Sequence, residues 1–328
     1  MDHAINPQSK KGNEMSQDLS SLIHSLINRR QALRTLAASS IGWTIGSSFE
    51  LFAKHPRRKI LFFSKQSASY EHDPIKRNGN EKSPAEKVLI ELGKTHGFDV
   101  VVSKDGSIFT RQNLKRFDVI FFYTTWNLTQ AVGDKNPPMT IEGKVALLEA
   151  IRSGKGFIGA HSATDTFLSP GPEFETQPIE KRDPYIQMIG GEFIRHGPQQ
   201  EATMRVVSPH FPGVENLGWG FNLKDEWYSL KNFAPDLHVI LVQVTQGMTG
   251  TDYQRPNYPA TWARNDGKGH VFYTSMGHRE DVWTNPIFQS VLLGGIAWAG
   301  GNVEAVIPPN MAEVTPNAET IPPKPTRS

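Results

Sequence analysis

Four short apolar runs, Lys59-Ile-Leu-Phe-Phe-Ser64, Phe98-Asp-Val-Val-Val102, Phe117-Asp-Val-Ile-Phe-Phe122 and Gly156-Phe-Ile-Gly-Ala160, recur between segments of helical periodicity. Runs with little polar alternation suit strands covered on both faces, and strands that alternate with helices build a parallel sheet with right-handed crossovers. An α/β fold with a helix-covered, mostly parallel sheet is therefore expected. The intervening segments carry their own signals. Ser83, Pro84 and Glu86 form a capping box ahead of Val88, Leu89 and Leu92, with Gly97 near the stop, and Thr140 opens a helix to Arg152 with Val145, Leu148 and Ile151 facing inward.

Chemistry is expected where the fourth run ends. The stretch Gly154-Lys-Gly-Phe-Ile-Gly-Ala-His-Ser-Ala-Thr-Asp-Thr-Phe167 turns from apolar to small and polar at His161. Ligands of open α/β sheets bind outside the carboxyl ends of the strands, so His161, Ser162, Thr164 and Asp165 would face a cleft. The small residues Gly159, Ala160 and Ala163 fit a sharp strand-to-helix turn shaped like a nucleophile elbow. A histidine stands where a cysteine amidase would carry its thiol, and the chain has no cysteine. Disulfides, zinc-thiolate sites and cysteine amidotransfer are excluded, leaving imidazole and carboxylate as the strong ligands and bases.

The chain divides into three parts. Residues 1–57 read as a leader and linker, with Arg29-Arg30 ahead of the mildly apolar Leu36–Gly46, the pattern of a twin-arginine export signal and hence a periplasmic or exported protein. A basic amphipathic helix on a cytoplasmic protein is the alternative. Residues 58–306 form the domain. Its second half breaks the alternation with a Pro- and Gly-rich loop over 168–184, of the length that serves as a lid or binding loop, then strands at Glu201–Val207 and His238–Thr245 and a hairpin over 259–275. Asn285-Pro286 begins a last helix. Residues 307–328 are Pro-rich, too poor in apolar residues to fold, and are expected to be flexible. A net charge of +2 with scattered Lys and Arg gives no nucleic-acid footprint, and no apolar run reaches the ~20 residues of a membrane span.

Five motifs in order, Gly154–Thr166, Gly190-Gly-x-Phe-x-x-His196, Asp225-Glu-x-Tyr228, Pro259-Ala-Thr-Trp262 and Gly277-His278 with Trp283 and Pro286, resemble the ThuA-like proteins of trehalose utilisation. The likeness covers about residues 58–306. It implies a flavodoxin-like three-layer domain, related to the class I glutamine amidotransferase fold without its thiol, and an association with the catabolism of sugars, particularly oxidised (3-keto) disaccharides.

The polar clusters expected at strand ends and adjoining loops are His72-Asp73, His161 with Asp165, His196, Asp225-Glu226, and His278 with Glu280. They support either a divalent metal held by histidines and a carboxylate, or metal-free acid/base work beside a sugar carbonyl. The catalytic candidates are His161, Asp165, His196, Glu226 and His278. A zinc-like ion is assigned to His161, His196 and Glu226, with Asp165 as the nearest second-sphere oxygen. Sugar contacts are assigned to His72, Trp126, Ser162, Tyr228 and Trp262. Asp225 and Glu226 can instead pair with Arg195 or Arg279. The function expected is an enzyme acting on a keto-sugar or glycoside by isomerisation, elimination or hydrolysis, or else a non-catalytic sugar-binding module. A homo-oligomer is left open.

Overall fold

A computed structural model describes Phe52 and residues 56–66, 70–131 and 133–324. The paired arginines and the rest of residues 1–51 lie outside the described residues. The first run becomes β1 (Lys59–Phe63), whose Ile60 and Phe62 enter one core and Leu61 and Phe63 the other. This alternation between two buried faces makes three layers, with helices on both sides of a sheet. Helix α1 (Pro84–His96) starts at the expected box, Ser83 and Glu86 each satisfying the other's backbone N–H, and ends at Gly97 with φ 86°. It leads to β2 (Asp99–Ser103), followed by β3 (Val119–Phe122).

Helix α2 (Ile141–Arg152) is capped by Thr140, but its inward face is Ala146, Leu147 and Ile151, while Val145 is exposed. Both faces of that helix offer apolar residues, so periodicity left the choice to packing. Strand β4 (Gly156–Ala160), helix α3 (Pro184–Ile189) and strand β5 (Glu192–His196) follow. Next come β6 (Gln200–Val206), β7 (Gly220–Asp225), β8 (Tyr228–Lys231) and β9 (His238–Val244). The expected hairpin is β10 (Tyr258–Asp266) with β11 (Gly269–Thr274), and the last helix is α4 (Pro286–Ala299).

The described residues form a nine-stranded mixed sheet of order β2-β1-β3-β4-β11-β10-β9-β6-β7, with β5 and β8 paired separately. Strands β2, β1, β3, β4 and β11 are mutually parallel, the flavodoxin-like order. The remaining four extend the sheet antiparallel. The parallel strands place their carboxyl ends along one edge, and the β7–β8 corner is brought to the same edge by contacts given below. Among the described residues no helix is long and apolar enough to cross a membrane.

The segment after 306, read from composition as flexible, is held on the domain as far as Ala318. Asn310 continues the backbone pairing of β9 through its own N–H and its carboxamide, and Arg255, buried, donates to the Ala318 carbonyl at 2.6 Å. Polar backbone contacts, which composition does not report, anchor it together with Met311, Val314 and Ala318, which pack on the core. Removing residues 307–328 is expected to lower the Tm by roughly 2–12 °C, because stranding a buried hydrogen-bonding group costs about 1–3 kcal/mol and each kcal/mol shifts a domain of this size by about 2–4 °C. An unchanged Tm by calorimetry would show that these contacts contribute nothing.

Candidate metal centre

His161 follows β4 directly and adopts φ +44°, a left-handed conformation that costs a non-glycine residue about 1–3 kcal/mol. This is the elbow geometry expected from the small residues around it, and it turns the imidazole over the end of the sheet. Its Nδ1 donates to the Ser275 carbonyl just beyond β11 at 3.1 Å, which leaves Nε2 unprotonated in the neutral ring. That carbonyl, and not Asp165, orients the ring. His72 comes from the loop after β1. Its Nδ1 and backbone N–H both donate to Gln66 Oε1 at 2.8 Å, and Gln66 in turn donates to Ser162 Oγ at 3.1 Å. Among the described residues the buried Nε2 of His72 has no hydrogen-bond partner. Burial, aided by His161 and His278, depresses this imidazole far below its ordinary pKa, so it stays neutral, as a ligand must.

His278 lies beyond β11, after Gly277, whose φ of +120° suits glycine. Glu226 lies at the β7–β8 corner. The three imidazoles form an almost equilateral triangle, with centroids 5.1, 5.0 and 5.1 Å apart and planes inclined at 74–84°. Glu226 Oε1 is 3.1 Å from His278 Nδ1 and 3.5 Å from His161 Nε2, and those two nitrogens are 3.3 Å apart. One ligand atom from each of His72, His161, Glu226 and His278 lies within 4.8 Å of every other. Ligands about 2.0–2.2 Å from a tetrahedral ion are about 3.3–3.6 Å apart, close to the three short edges of this cluster. Although close to both histidines, Glu226 Oε1 makes no contact of hydrogen-bond geometry and is buried. Burial alone would raise the Glu226 carboxyl, but its interactions with His161 and His278 hold it well below the usual carboxylate range. Two buried, unpartnered donors facing one point fit a cation.

The group that could hold an ion, His72, His161, Glu226 and His278, differs from the expected His161, His196 and Glu226. His196 stands opposite Tyr228 in the β5–β8 ladder, its ring stacks on Tyr228, and its Nδ1 is 3.2 Å from the other oxygen of Glu226. It therefore approaches the carboxylate from outside, and His72 and His278 complete the inner set. The alternative pairing of the acids with arginine is overturned, since Arg195 pairs with Asp252 and Arg279 with Asp281. Ser162 is fully buried and supports Gln66 instead of facing a ligand. Trp262 is core, packed on Tyr273 with its Nε1 donating to the Ile189 carbonyl.

A cleft of about 430 Å³ opens beside His72, lined also by Tyr70, Trp126, Asp165, His196 and Tyr228. Trp126, at φ +68°, is tied to the β4 turn by its N–H to Asp165 and its carbonyl from Phe167, and its indole is 57% exposed. A fixed, exposed ring of this kind is a ready stacking surface. The long loop supplies Leu168, Ser169, Gly171 and Glu173 and is clamped by Lys231, which donates to the Pro172 and Glu175 carbonyls at 3.0 Å. Burial, with Glu192 nearby, pushes the Asp165 carboxyl up to about 8. Sequence reasoning missed Gln66, which carries no motif signal, and Tyr70, whose place two residues before His72 was available as one.

The profile of a family described as ThuA, trehalose utilisation, matches residues 59–299. The fold is similar to the crystal structure of a ThuA-like protein from Bacteroides uniformis, with a TM-score of 0.55 and 19% identity, covering 76% of this chain and 93% of that one. A ThuA-like protein from Parabacteroides merdae gives 0.51 and 18%, covering 82% and 98%. At these identities the likeness is one of fold. Comparison with curated proteins gives no match.

The Asp165 shift has a measurable sign. With the folded value at about 8 and the ordinary value at 3.8, the native state holds a proton that the unfolded chain has lost between those pH values, so stability falls as pH rises from about 4 to 8. In metal-free protein, Asp165→Asn should gain in Tm over wild type progressively across that window and level off above it. A Tm difference that stays constant with pH would place the carboxyl in water.

Proposed function

The chain belongs to the ThuA family of trehalose-utilisation proteins, and from that membership and the cluster geometry we propose that it is a metal-dependent enzyme acting on a keto-sugar or glycoside. The observation that carries this reading is the set of donors at 3.1, 3.3 and 3.5 Å, with His72 Nε2 and Glu226 Oε1 buried and unpartnered beside a sugar-sized cleft. His72, His161, His278 and Glu226 would hold the ion, and three nitrogens with one oxygen suit zinc or a similar first-row dication. When bound, such an ion polarises a carbonyl or hydroxyl oxygen.

The protein's own groups supply the rest. Trp126 and Tyr70 offer apolar faces to a sugar ring at the mouth of the cleft. Asp165 keeps its proton up to about pH 8 and so can give it to a sugar oxygen at neutral pH. His196, 40% exposed and against Glu226, connects the site with solvent and can carry a proton away. Isomerisation, elimination and hydrolysis of such sugars all need an activated oxygen and a proton moved nearby. Export rests on Arg29-Arg30 alone, and replacing both by lysine should retain an exported protein in the cytoplasm; finding wild type only in the cytoplasm would end that part of the reading.

The decisive experiment is elemental analysis of the purified protein together with a screen of 3-keto-glycosides. About one equivalent of a first-row dication is expected, with turnover lost on chelation and in His161→Ala, whose circular dichroism should match wild type. Turnover indifferent to chelators would refute the metal reading. Saturable sugar binding with no product would instead make the protein a binding module.

A further inference from the structure

We propose that Asp225 is the positioning residue of this centre, its carboxylate holding the Glu226 and His278 segments in place before an ion arrives. The inference rests on the metal reading above and extends it to a residue that cannot itself ligate.

Asp225 is fully buried, and its two oxygens accept three backbone N–H groups. Oδ2 takes Gly277 at 2.7 Å, and Oδ1 takes Arg279 at 3.1 Å and Glu226 at 3.0 Å. The first two flank His278, so one rigid group fixes the backbone on either side of that ligand. The third belongs to the other ligand, Glu226. Two of the four ligands, on segments more than fifty residues apart, are thus referred to one carboxylate. The opposite side of the His278 turn is held as well, since the Gly277 carbonyl accepts from Tyr123 Oη at 3.1 Å and Trp283 Nε1 at 2.8 Å. Asp225 itself has both oxygens turned to N–H groups and is absent from the ligand cluster.

Charge supports the same role. Among the described residues neither Asp225 nor Glu226 has a lysine or arginine within ion-pairing distance, and the Arg279 guanidinium is turned to Asp281 and Gln199. A dication held beside them would supply the opposite charge that buried acids otherwise lack here. An asparagine has the shape but not the function: it offers one acceptor oxygen, puts an NH2 against one of the N–H groups, and removes the charge.

The test uses metal-free full-length protein titrated with Zn2+ or Mn2+ against a chromophoric chelator. Loss of a group that orients ligands typically weakens metal affinity by about 10–100-fold, and that is the range expected for Asp225→Asn. Equal affinities in wild type and variant would overturn the role of Asp225 alone, whereas failure of the wild type to take up either ion would overturn the metal reading. A second measurement needs no variant. In metal-free wild type the amides of Gly277 and Arg279 should exchange with deuterium slowly, and exchange at the rate of exposed loop amides, slowed only by metal, would overturn the proposal even if the variant does not fold.

Discussion

Two consecutive carboxyl groups buried at a sheet edge, with no lysine or arginine paired to them among the described residues, are the constraint on which this site depends. Burying a charge is costly unless something nearby compensates for it, and here the compensation is divided. Asp225 is met by three backbone N–H groups, and Glu226 by the imidazoles of His161, His196 and His278. The first arrangement satisfies its carboxylate within the fold. The second leaves Glu226 Oε1 and His72 Nε2 with lone pairs facing a common point, a state that a cation relieves and a proton cannot relieve at every donor.

Topology explains why so many polar groups converge. Parallel strands deliver their carboxyl ends to one edge, so the segments after β1, β4 and β11 provide His72, His161 and His278 without any long excursion of the chain. The strand order reverses about β1, where open α/β sheets leave a crevice for ligands. A parallel sheet alone would supply the three imidazoles and no carboxylate. Glu226 comes from the corner between β7, the far edge of the antiparallel extension, and β8, and hydrogen bonds donated to Asp225 by the turn after β11 tie that corner to the parallel half. The site is therefore a product of both halves of the sheet.

Strain accompanies this arrangement. His161 and Trp126 both adopt left-handed backbone conformations at the ends of β4 and β3, and each is locked by hydrogen bonds, His161 through Ser275 and Trp126 through Asp165 and Phe167. A fold retains such conformations where the surroundings over-determine them. The result is His161 on the inner side of the cleft and Trp126 at its mouth, with Asp165 one turn after His161 and buried enough to keep its proton at neutral pH.

Much of this was legible in the residues. Apolar runs at Lys59–Ser64 and Gly156–Ala160, the box at Ser83 and Glu86, and the small residues around His161 determined a helix-covered parallel sheet and the place where a site should lie, because backbone conformation and strand burial are local consequences of side-chain type. The absence of cysteine determined which ligands were available. What the sequence left open was which of those ligands meet. His196 and His278 each follow a glycine-containing motif, and nothing local distinguishes the one that faces the cluster from the one that stacks outside it on Tyr228. Trp126 and Trp262 likewise read alike, yet one is exposed at the cleft and the other fills the core. Asp225 and Glu226 are neighbours in the chain, and only the turn after β11, more than fifty residues away, turns one to backbone N–H groups and the other to the imidazole of His278. Tertiary structure decided these assignments because convergence depends on loops from separate strands, whose relative positions are set by the packing of the whole sheet and by no interaction within each segment.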